Sequence, residues 1–395
     1  MSRSRTRSSE PLPRGFGALW TTVALDLVGF GIVVPILGRY AERYGASGVQ
    51  VGLLFASFSL AQFVCSPLLG RLSDRIGRKP VILISLLGTA VGSFVTGAAN
   101  SLTLLFVGRI LDGASGASVA VAQGAVTDLA APSQRPRLLG LLGAAFGVGF
   151  VVGPALGGLA ALGGPHVPFY VASVIALANA IAAAIRLPET RVRPDAATAP
   201  APHRGSVRLW NYAVIGFVGL VAFSGFEATF ALLAERRFSL AEGGIAAVFV
   251  GIGLLLSAVQ GGLIGPVTDR IGVRKALMVG LGLNVAGLAV LADAKSWAVL
   301  VPALVLLTLG QGLVSPSLTT AVSNEAPQDR RGEALGFQQG ALALARIAGP
   351  ALAGVLFDHV GVGAPYLVGA GLCLGAALLV TVPSPVAESE APARV

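Results

Sequence analysis

Gly70-Arg71-Leu72-Ser73-Asp74-Arg75-Ile76-Gly77-Arg78-Lys79-Pro80 is a charged segment between two long apolar runs. A similar segment, Gly265-Pro266-Val267-Thr268-Asp269-Arg270-Ile271-Gly272-Val273-Arg274-Lys275, begins about half the chain length further on. In both copies the segment joins two apolar runs by a short basic turn. The repetition at half-chain spacing predicts a duplicated membrane protein.

The composition supports this prediction. Hydrophobic residues make up 54% of the 395-residue chain and charged residues 12%, which is about half of the charged fraction of a soluble domain. The net charge of +9 does not indicate a nucleic-acid partner, because the basic residues lie in short loops where they orient a membrane protein. The two cysteines and three histidines show no metal-ligand spacing, so we expect neither a metal nor a cofactor.

Twelve apolar runs are long enough to cross a bilayer as helices. The predicted spans lie near 16–37, 50–70, 81–99, 102–126, 138–161, 167–187, 210–233, 243–265, 276–293, 297–320, 333–356 and 363–382. We therefore expect an all-α integral membrane fold with two pseudo-symmetric six-helix bundles. The predicted parts are an N-terminal tail (1–15), a first bundle (16–187), a polar linker (188–208), a second bundle (209–382) and a C-terminal tail (383–395).

The basic residues are unevenly divided between the two sides of these spans. Most fall in the tails, the linker and the loops on the same side, whereas the loops on the other side hold only Arg39, Arg43, Arg236, Arg237 and Lys295. The positive-inside rule then places both termini and the linker in the cytoplasm. We expect a multi-pass protein of the plasma membrane.

A second repeat concerns small residues. Gly153-Pro154-Ala155-Leu156-Gly157-Gly158 in the fifth span is echoed by Gly349-Pro350-Ala351-Leu352-Ala353-Gly354 in the eleventh. Small residues let membrane helices pack closely, and Pro154 can kink the span; ordinary packing in a glycine-rich chain is the alternative. Parallel repeats also predict a binding site between the two halves, near the middle of the membrane.

Some ionisable side chains fall inside predicted spans, where each costs a few kcal/mol. They are Asp26, Arg109, Asp112, Glu227 and Arg346. Arg109 and Asp112 are three residues apart, so they share a helix face and can pair, either to neutralise each other or to carry protons. Asp26 has no basic residue one turn away, and a carboxyl that is neutral in one state and ionised in another is what proton coupling requires. Glu227 has the same character, unless it lies near the membrane surface.

Uncharged polar side chains inside the spans are candidates for a substrate cavity. We expect such a cavity to draw on Gln123, Gln260, Asn284 and Gln311, together with the charged Arg346. Each of these side chains could instead bridge two helices within a bundle.

The sequence resembles the major facilitator superfamily and, within it, the twelve-span drug:proton antiporters that include the tetracycline efflux pumps. Residues 70–79 resemble the superfamily signature between the second and third spans, and Arg109-Ile110-Leu111-Asp112-Gly113 resembles an Arg-x-x-x-Gly motif linked to proton transfer. Residues 147–158 resemble the antiporter motif of the fifth span, and residues 25–35 resemble the first span of tetracycline-type exporters.

The resemblance implies roles for named residues. It implies a gating cluster that closes the cytoplasmic side in the outward-facing state, made of Gly70, Asp74, Arg75, Gly77, Arg78, Lys79 and Asp128, with Asp269, Arg270 and Arg274 in the second copy. The antiporter motif would comprise Gly149, Gly153, Pro154, Gly157 and Gly158. Proton coupling is expected at Asp26, Arg109, Asp112 and Glu227.

The chain departs from the tetracycline pumps at two positions. Those pumps carry acidic residues where this chain has Asn284 and about where Gly92 stands. Their metal–tetracycline chelate is thought to need such carboxylates, so the two departures count against tetracycline itself and leave the question open.

The expected function is proton-coupled efflux of small lipophilic compounds, either multidrug or tetracycline-like, by alternating access. The expected partners are a small-molecule substrate, protons and the lipid bilayer, without nucleic acid, and the expected assembly is a monomer. Proton-coupled transport of a polar metabolite such as a sugar is an alternative. A membrane-embedded enzyme is not favoured, because the sequence has no metal-ligand spacing, nucleophile–base pair or phosphate-binding loop. A non-transporting receptor would not need two copies of a gating motif.

Overall fold

The computed structural model describes residues 12–46, 48–191, 207–240 and 242–381, and every regular element in these ranges is helical. The α-helices are α1 (Phe16–Glu42), α2 (Gly48–Ile76), α3 (Arg78–Gly97), α4 (Leu102–Ser115), α5 (Ser118–Leu129), α6 (Arg135–Ala161), α7 (Val167–Arg186), α8 (Val207–Phe238), α9 (Glu242–Ala258), α10 (Ile264–Ile271), α11 (Val273–Ala292), α12 (Trp297–Glu325), α13 (Arg331–His359) and α14 (Ala364–Thr381). A π-helical turn, Val259–Leu263, joins α9 to α10, and a 3₁₀ turn, Gln328–Arg330, precedes α13.

These helices form twelve segments that are long and apolar enough to span a membrane. Helices α4 and α5 together make the fourth segment, and α9, the π turn and α10 make the eighth. The predicted number of spans and the all-α membrane fold are confirmed. The predicted linker and both predicted tails fall largely outside the described residues.

The two halves repeat one packing pattern. In the first half α3 packs against α4 and α7, and α1 packs against α6 and α7. The equivalent pairs recur in the second half, where α11 packs against α12 and α14, and α8 packs against α13 and α14. The halves meet through α2 against α13 and through α6 against α9, which are again equivalent pairs. The sequence repeat is therefore a structural repeat of two six-span bundles.

Each half closes one tight turn with a glycine. A single residue, Gly77, separates α2 from α3, and its φ is +110°. In the same way, Gly272 alone separates α10 from α11, with a φ of +81°. A side chain is strained at such φ values, so glycine is the residue that fits. Both turns lie on the side of the bundle where α1 begins, which we call the basic face; the other side is the opposite face.

Helix α6 carries two rows of glycines that face different neighbours. A Cβ added to Gly153 would come within 2.6 Å of the Cα of Gly31 in α1, and Gly149 and Gly157 meet the α1 backbone similarly. Gly140, Gly143 and Gly147 face Gln260 and Ser257 of the second half instead. Spacing of three or four residues places each row on one helix face. Of the predicted antiporter motif, Gly158 lies off both rows, with nothing within 4 Å of an added Cβ.

Gly153 and Gly158 give a matched test of packing. We expect Gly153→Leu to destabilise the protein by about 1–3 kcal/mol or more, because overpacking forces backbone shifts, here where α1 and α6 touch. Gly158→Leu adds the same side chain to the same helix without a clash and should leave stability nearly unchanged. Thermal unfolding of the two purified variants in detergent checks this. Equal unfolding temperatures would show that the contact between α1 and α6 does not require glycine.

Candidate functional site

The two halves touch closely along α2 and α13 near the basic face. Glycines at every fourth position of α13 face α2: a Cβ at Gly332 would clash with the backbone of Gly70, one at Gly336 with the carbonyl of Ser66, and one at Gly340 would lie 2.9 Å from the carbonyl of Phe63. The contact extends inward for about 12 Å, at 1.5 Å of rise per residue. Direct backbone contact holds the two halves together at this end of the molecule.

A buried ion-pair cluster lies beside this contact. Arg78, only 2% exposed, lies 2.8 Å from a carboxylate oxygen of Asp74 and 2.8 Å from one of Asp128. It also donates to the hydroxyl of Ser73 at 2.7 Å. We call Asp74, Arg78 and Asp128 the Asp74 cluster. Its ion pairs connect α2, α3 and α5. A buried guanidinium is tolerated only when its donors are paired, and the two carboxylates provide that pairing.

The Asp74 carboxylate also reaches into the second half. Its two oxygens accept hydrogen bonds from the backbone N–H groups of Gly332 and Glu333, each at 2.9 Å. These are unpaired donors of the first turn of α13, where the helix dipole also favours a negative charge. Nearby, Glu333 forms ion pairs with Arg71 of the first half at 2.5 Å and with Arg330 at 2.8 Å. The predicted cluster is thus the site where the halves are bonded across the basic face.

Sequence reasoning missed Glu189, which follows α7. Its carboxylate accepts hydrogen bonds from the backbone N–H groups of Arg78 at 2.9 Å and Lys79 at 3.2 Å, which caps the start of α3. A Cβ at Gly77 would displace this carboxylate, but the φ of Gly77 is the stronger reason for a glycine there. The run Pro188-Glu189-Thr190 after the sixth span was an available signal, but a turn partner more than a hundred residues away has no local sequence pattern.

The second copy of the motif is arranged differently. The position equivalent to Arg78 is Val273, so the central guanidinium is absent there, and Asp269 and Arg270 are exposed. Arg274 donates to the backbone carbonyl of Val380 at 3.0 and 2.6 Å, which caps the end of α14. The structure thus gathers the predicted gating residues of the first copy, with Arg75 on the surface and Lys79 half-buried, and does not gather those of the second.

The charged residues within the first half form a second group. Arg109 pairs with Asp112 at 2.8 Å, as their spacing predicted, and its guanidinium lies 4.3 Å from the centre of the Phe58 ring. Asp26 in α1 accepts a hydrogen bond from the hydroxyl of Ser118 in α5, and Asp112 is near enough for its charge to act on Asp26. Two carboxyl groups and one guanidinium therefore share one region of the spans.

A break in the fourth span places Ser118. Helix α4 ends at Ser115 and α5 starts at Ser118, and the carbonyl of Gly116 at the break accepts a hydrogen bond from the Gln62 side chain at 2.7 Å. Inside a membrane such a freed carbonyl needs a partner. Sequence reasoning missed Ser118; the small-residue run from Gly113 to Ser118 was the signal for the break.

Glu227 in α8 and Arg346 in α13 are exposed, although both lie well inside their spans. Charged side chains within spans face the bundle interior or a water-filled space rather than lipid, so we infer that both face an internal space. Each is the charged neighbour that acts on the other. An acidic and a basic group thus face the interior of the second half, close to the mid-membrane site predicted from the repeat.

The uncharged cavity candidates fall in different places. Asn284 is 1% exposed and donates to Gln311 at 3.4 Å, so it bridges α11 and α12 inside the second bundle. Gln339 donates to Gln123 at 3.1 Å, a bond between the two halves. Gln260, in the π turn, packs against the glycines of α6. Within the described ranges, no group of three or more His, Cys, Asp or Glu residues is placed to hold a metal ion.

Comparison with known proteins gives matches over nearly the whole chain. The sequence profile of the Major Facilitator Superfamily matches residues 19–264 and 250–395. The class C tetracycline resistance protein of Escherichia coli is 31% identical over 368 residues, which are 89% of this chain and 93% of that protein. Multidrug resistance protein 1 of Bacillus subtilis is 29% identical over 374 residues, 93% and 96% of the two chains.

Solved structures share the fold. The human organic anion transporter MFSD10 superposes with a TM-score of 0.83 at 25% identity, covering 93% of this chain and 99% of its own. The Escherichia coli fucose:proton symporter FucP gives a TM-score of 0.75 at 17% identity, with 92% and 97% coverage.

The role of the bonds from Asp74 to α13 can be tested by comparing Asp74 with Asp269, the equivalent residue of the second half. Asp74→Asn removes the charge that holds the two α13 N–H groups and Arg78. Hydrogen bonds to charged groups contribute about 1.5–3 kcal/mol, so the ratio of closed to open basic face should fall about tenfold or more. Spin labels on α2 and α13 at the basic face, read as a distance distribution, measure this ratio.

Asp269→Asn is the matched control, since it removes the same charge from the exposed second copy. It should leave the distance distribution unchanged. If Asp74→Asn gave the same distribution as Asp269→Asn, the carboxylate of Asp74 would not be what holds the basic face closed.

Proposed function

The chain belongs to the Major Facilitator Superfamily of membrane transporters, and on that premise we propose that it exports small lipophilic compounds in exchange for protons. The relatives named as tetracycline and multidrug resistance proteins, at about 30% identity, support the direction and the substrate class. One observation carries the proposal. The carboxylate of Asp74 bonds the two halves across the basic face, so the face can open only when a defined set of bonds breaks. Bonds between two bundles that can break without unfolding either bundle are what alternating access requires.

The basic face is proposed to be the cytoplasmic one. The loops and helix ends on this face carry Arg71, Arg75, Arg78, Lys79, Arg135, Arg137, Arg270, Arg274, Lys275, Arg330 and Arg331. Lys and Arg in short loops remain in the cytoplasm. With this orientation, the present structure is closed towards the cytoplasm, which is the state in which an exporter releases its substrate outward.

We assign Asp26 as the main proton-coupling carboxyl. It lies about 15 Å along α1 from the basic face, at 1.5 Å per residue, and its hydrogen-bond partner is a neutral hydroxyl rather than a cation. An intramembrane carboxyl without a bonded cation is costly when ionised. Proton binding relieves that cost, and the carboxyl can lose its proton when the opposite conformation admits water. Arg109 and Asp112 act on it from the same region.

The substrate site is proposed to be the internal space faced by Glu227 and Arg346. The structure gives no room for a carboxylate at Gly92, because an added Cβ would lie 2.8 Å from the backbone N of Asp112 in α4. Asn284 is buried inside its bundle. A metal–drug chelate that needs carboxylates at these two places would not be held, whereas an uncharged or singly charged lipophilic compound would.

The proposed cycle uses these parts in order. With the cytoplasmic face closed, Asp26 takes up a proton from outside and the substrate leaves outward. The two bundles then rock, the bonds of Asp74 to α13 break, and the glycine contacts between α2 and α13 separate. Asp26 releases its proton to the cytoplasm as a new substrate molecule enters. In this scheme each bundle moves as one body about the contacts between the halves.

Transport in liposomes tests the role of Asp26. With an imposed pH gradient, the wild-type protein should move a fluorescent lipophilic dye, and Asp26→Asn should reduce this movement to the level of empty liposomes, because the variant cannot bind and release a proton. Asp293→Asn is the control, since Asp293 lies in an exposed turn on the opposite face with Lys295 as partner. Gradient-driven transport that survives Asp26→Asn would remove Asp26 from the coupling path.

A second candidate substrate class is favoured by one observation. Arg346 is a positive charge that faces the internal space, and MFSD10, which shares the fold at 25% identity, is described as an organic anion transporter. Lipophilic anions would then be exported rather than neutral or cationic compounds.

Dyes of opposite charge separate the two classes. If the substrates are anions, an anionic dye should be transported, and Arg346→Gln should weaken its transport more than about tenfold, the effect of losing about 1.4 kcal/mol of interaction. If they are neutral or cationic, Arg346→Gln should retain or improve transport of a cationic dye, because a like charge is removed from its site. Transport of the anionic dye that is unaffected by Arg346→Gln would exclude Arg346 as an anion-binding group.

A further inference from the structure

A cavity of about 630 Å³ lies at the basic face between the two halves. Both halves supply its walls: Arg78, Thr127, Asp128, Ala130, Pro132, Arg135 and Arg191 come from the first, and Asn324, Gln328 and Arg331 from the second. This volume is within the range of small-molecule sites, about 300–1,000 Å³. The cavity is separate from the internal space that Glu227 and Arg346 face.

The cavity wall is strongly positive. Four of the lining residues are arginines, and Asp128 is the lining residue with a carboxylate. That carboxylate already pairs with Arg78. Asp128 also acts on Arg135 and Arg331, but one carboxylate among four arginines leaves the wall with a net positive charge.

Two of these arginines are buried and only partly bonded. Arg135 is 6% exposed; it donates to the Asn324 side chain at 2.6 Å, but its Nε has no hydrogen-bond partner. Arg331 is 9% exposed, and its Nε donates to the carbonyl of Ser323 at 3.2 Å. The two guanidinium groups stand on opposite halves and are near enough for their like charges to repel. Burying an unpaired donor on a charged group is costly.

We propose that this cavity binds a phosphate-type anion, either free in the cytoplasm or as the headgroup of an anionic lipid. A guanidinium presents a planar fork of donors that matches a phosphate, and such bonds are stronger than neutral ones. The anion would take those donors of Arg135 and Arg331 that line the cavity. It would also replace the repulsion between these groups by attraction to a shared ligand.

Binding there would act on the conformation. Arg135 and Arg331 belong to different halves, so an anion that contacts both can bind fully only while the basic face is closed. A ligand that prefers one conformation stabilises it in proportion to that preference. The anion would therefore favour the closed basic face and act together with the Asp74 cluster. This inference concerns binding and conformation, and it holds whichever compounds the protein transports.

Full-length protein in nanodiscs provides the test. Pyrophosphate is added to protein in phosphatidylcholine nanodiscs, with ionic strength kept constant by sodium chloride, and the unfolding temperature is followed. In parallel, the nanodiscs are made with and without phosphatidylglycerol. A rise with pyrophosphate assigns a free anion, and a rise that appears only with phosphatidylglycerol assigns a lipid headgroup. Labels on α6 and α13 should report a more populated closed distance under the same condition.

Variants show whether the rise in unfolding temperature, with pyrophosphate or with phosphatidylglycerol, comes from binding in this cavity. Arg135→Gln and Arg331→Gln should each weaken the apparent affinity at least tenfold, while Arg270→Gln, an exposed arginine of the same face, should leave it unchanged. No rise in the wild type, or an equal loss of affinity in Arg270→Gln, would overturn the proposal.

Discussion

The carboxylate of Asp74 is the group on which the arrangement of the two halves depends. It is 4% exposed, so its charge must be satisfied by the protein rather than by water. Arg78 satisfies part of it from the same half, and two backbone N–H groups at the start of α13 satisfy the rest from the other half. The two backbone donors are fixed in the first turn of α13, so they keep their positions as long as that turn does not move. The bond thus couples one buried charge to the position of an entire bundle.

Close backbone approach makes this bond possible. Asp has a short side chain, so it reaches the α13 backbone only where α2 and α13 are in direct contact, and glycines such as Gly332 and Gly336 allow that contact. Membrane helices gain little from the hydrophobic effect within the bilayer, so packing of small residues contributes much of their association. The same device recurs on α6, where one glycine row faces α1 and another faces the second half. Helix α6 therefore packs closely both inside its own bundle and against the other bundle.

The charged groups within the spans differ in how completely they are bonded, and the difference matches their proposed roles. The buried Arg109 and Asp112 are directly paired, which reduces the cost of both and fixes their positions. Asp26 is bonded to a hydroxyl, and Glu227 and Arg346 are near enough for their charges to act on each other. These less complete arrangements leave room for a proton or a ligand. The basic-face cavity follows the same logic, since its incompletely bonded arginines lie where the two halves separate.

The sequence by itself determined the number of spans, the duplication, the sided distribution of basic residues and the pairing of Arg109 with Asp112. Each of these depends on local properties: the length of an apolar run, the recurrence of a motif, or a spacing of three residues on a helix. Only the tertiary structure decided that Asp74 bonds to α13, that Glu189 caps α3, that Ser118 meets Asp26, and that the second copy of the motif is not a buried cluster. These partners lie on different spans, and hydropathy patterns show that a helix crosses the membrane but not which side chains meet inside it. The second copy of the motif gives the physical reason for its different structure. Val273 stands where the first copy has Arg78, so that copy has no central guanidinium with which carboxylates could pair.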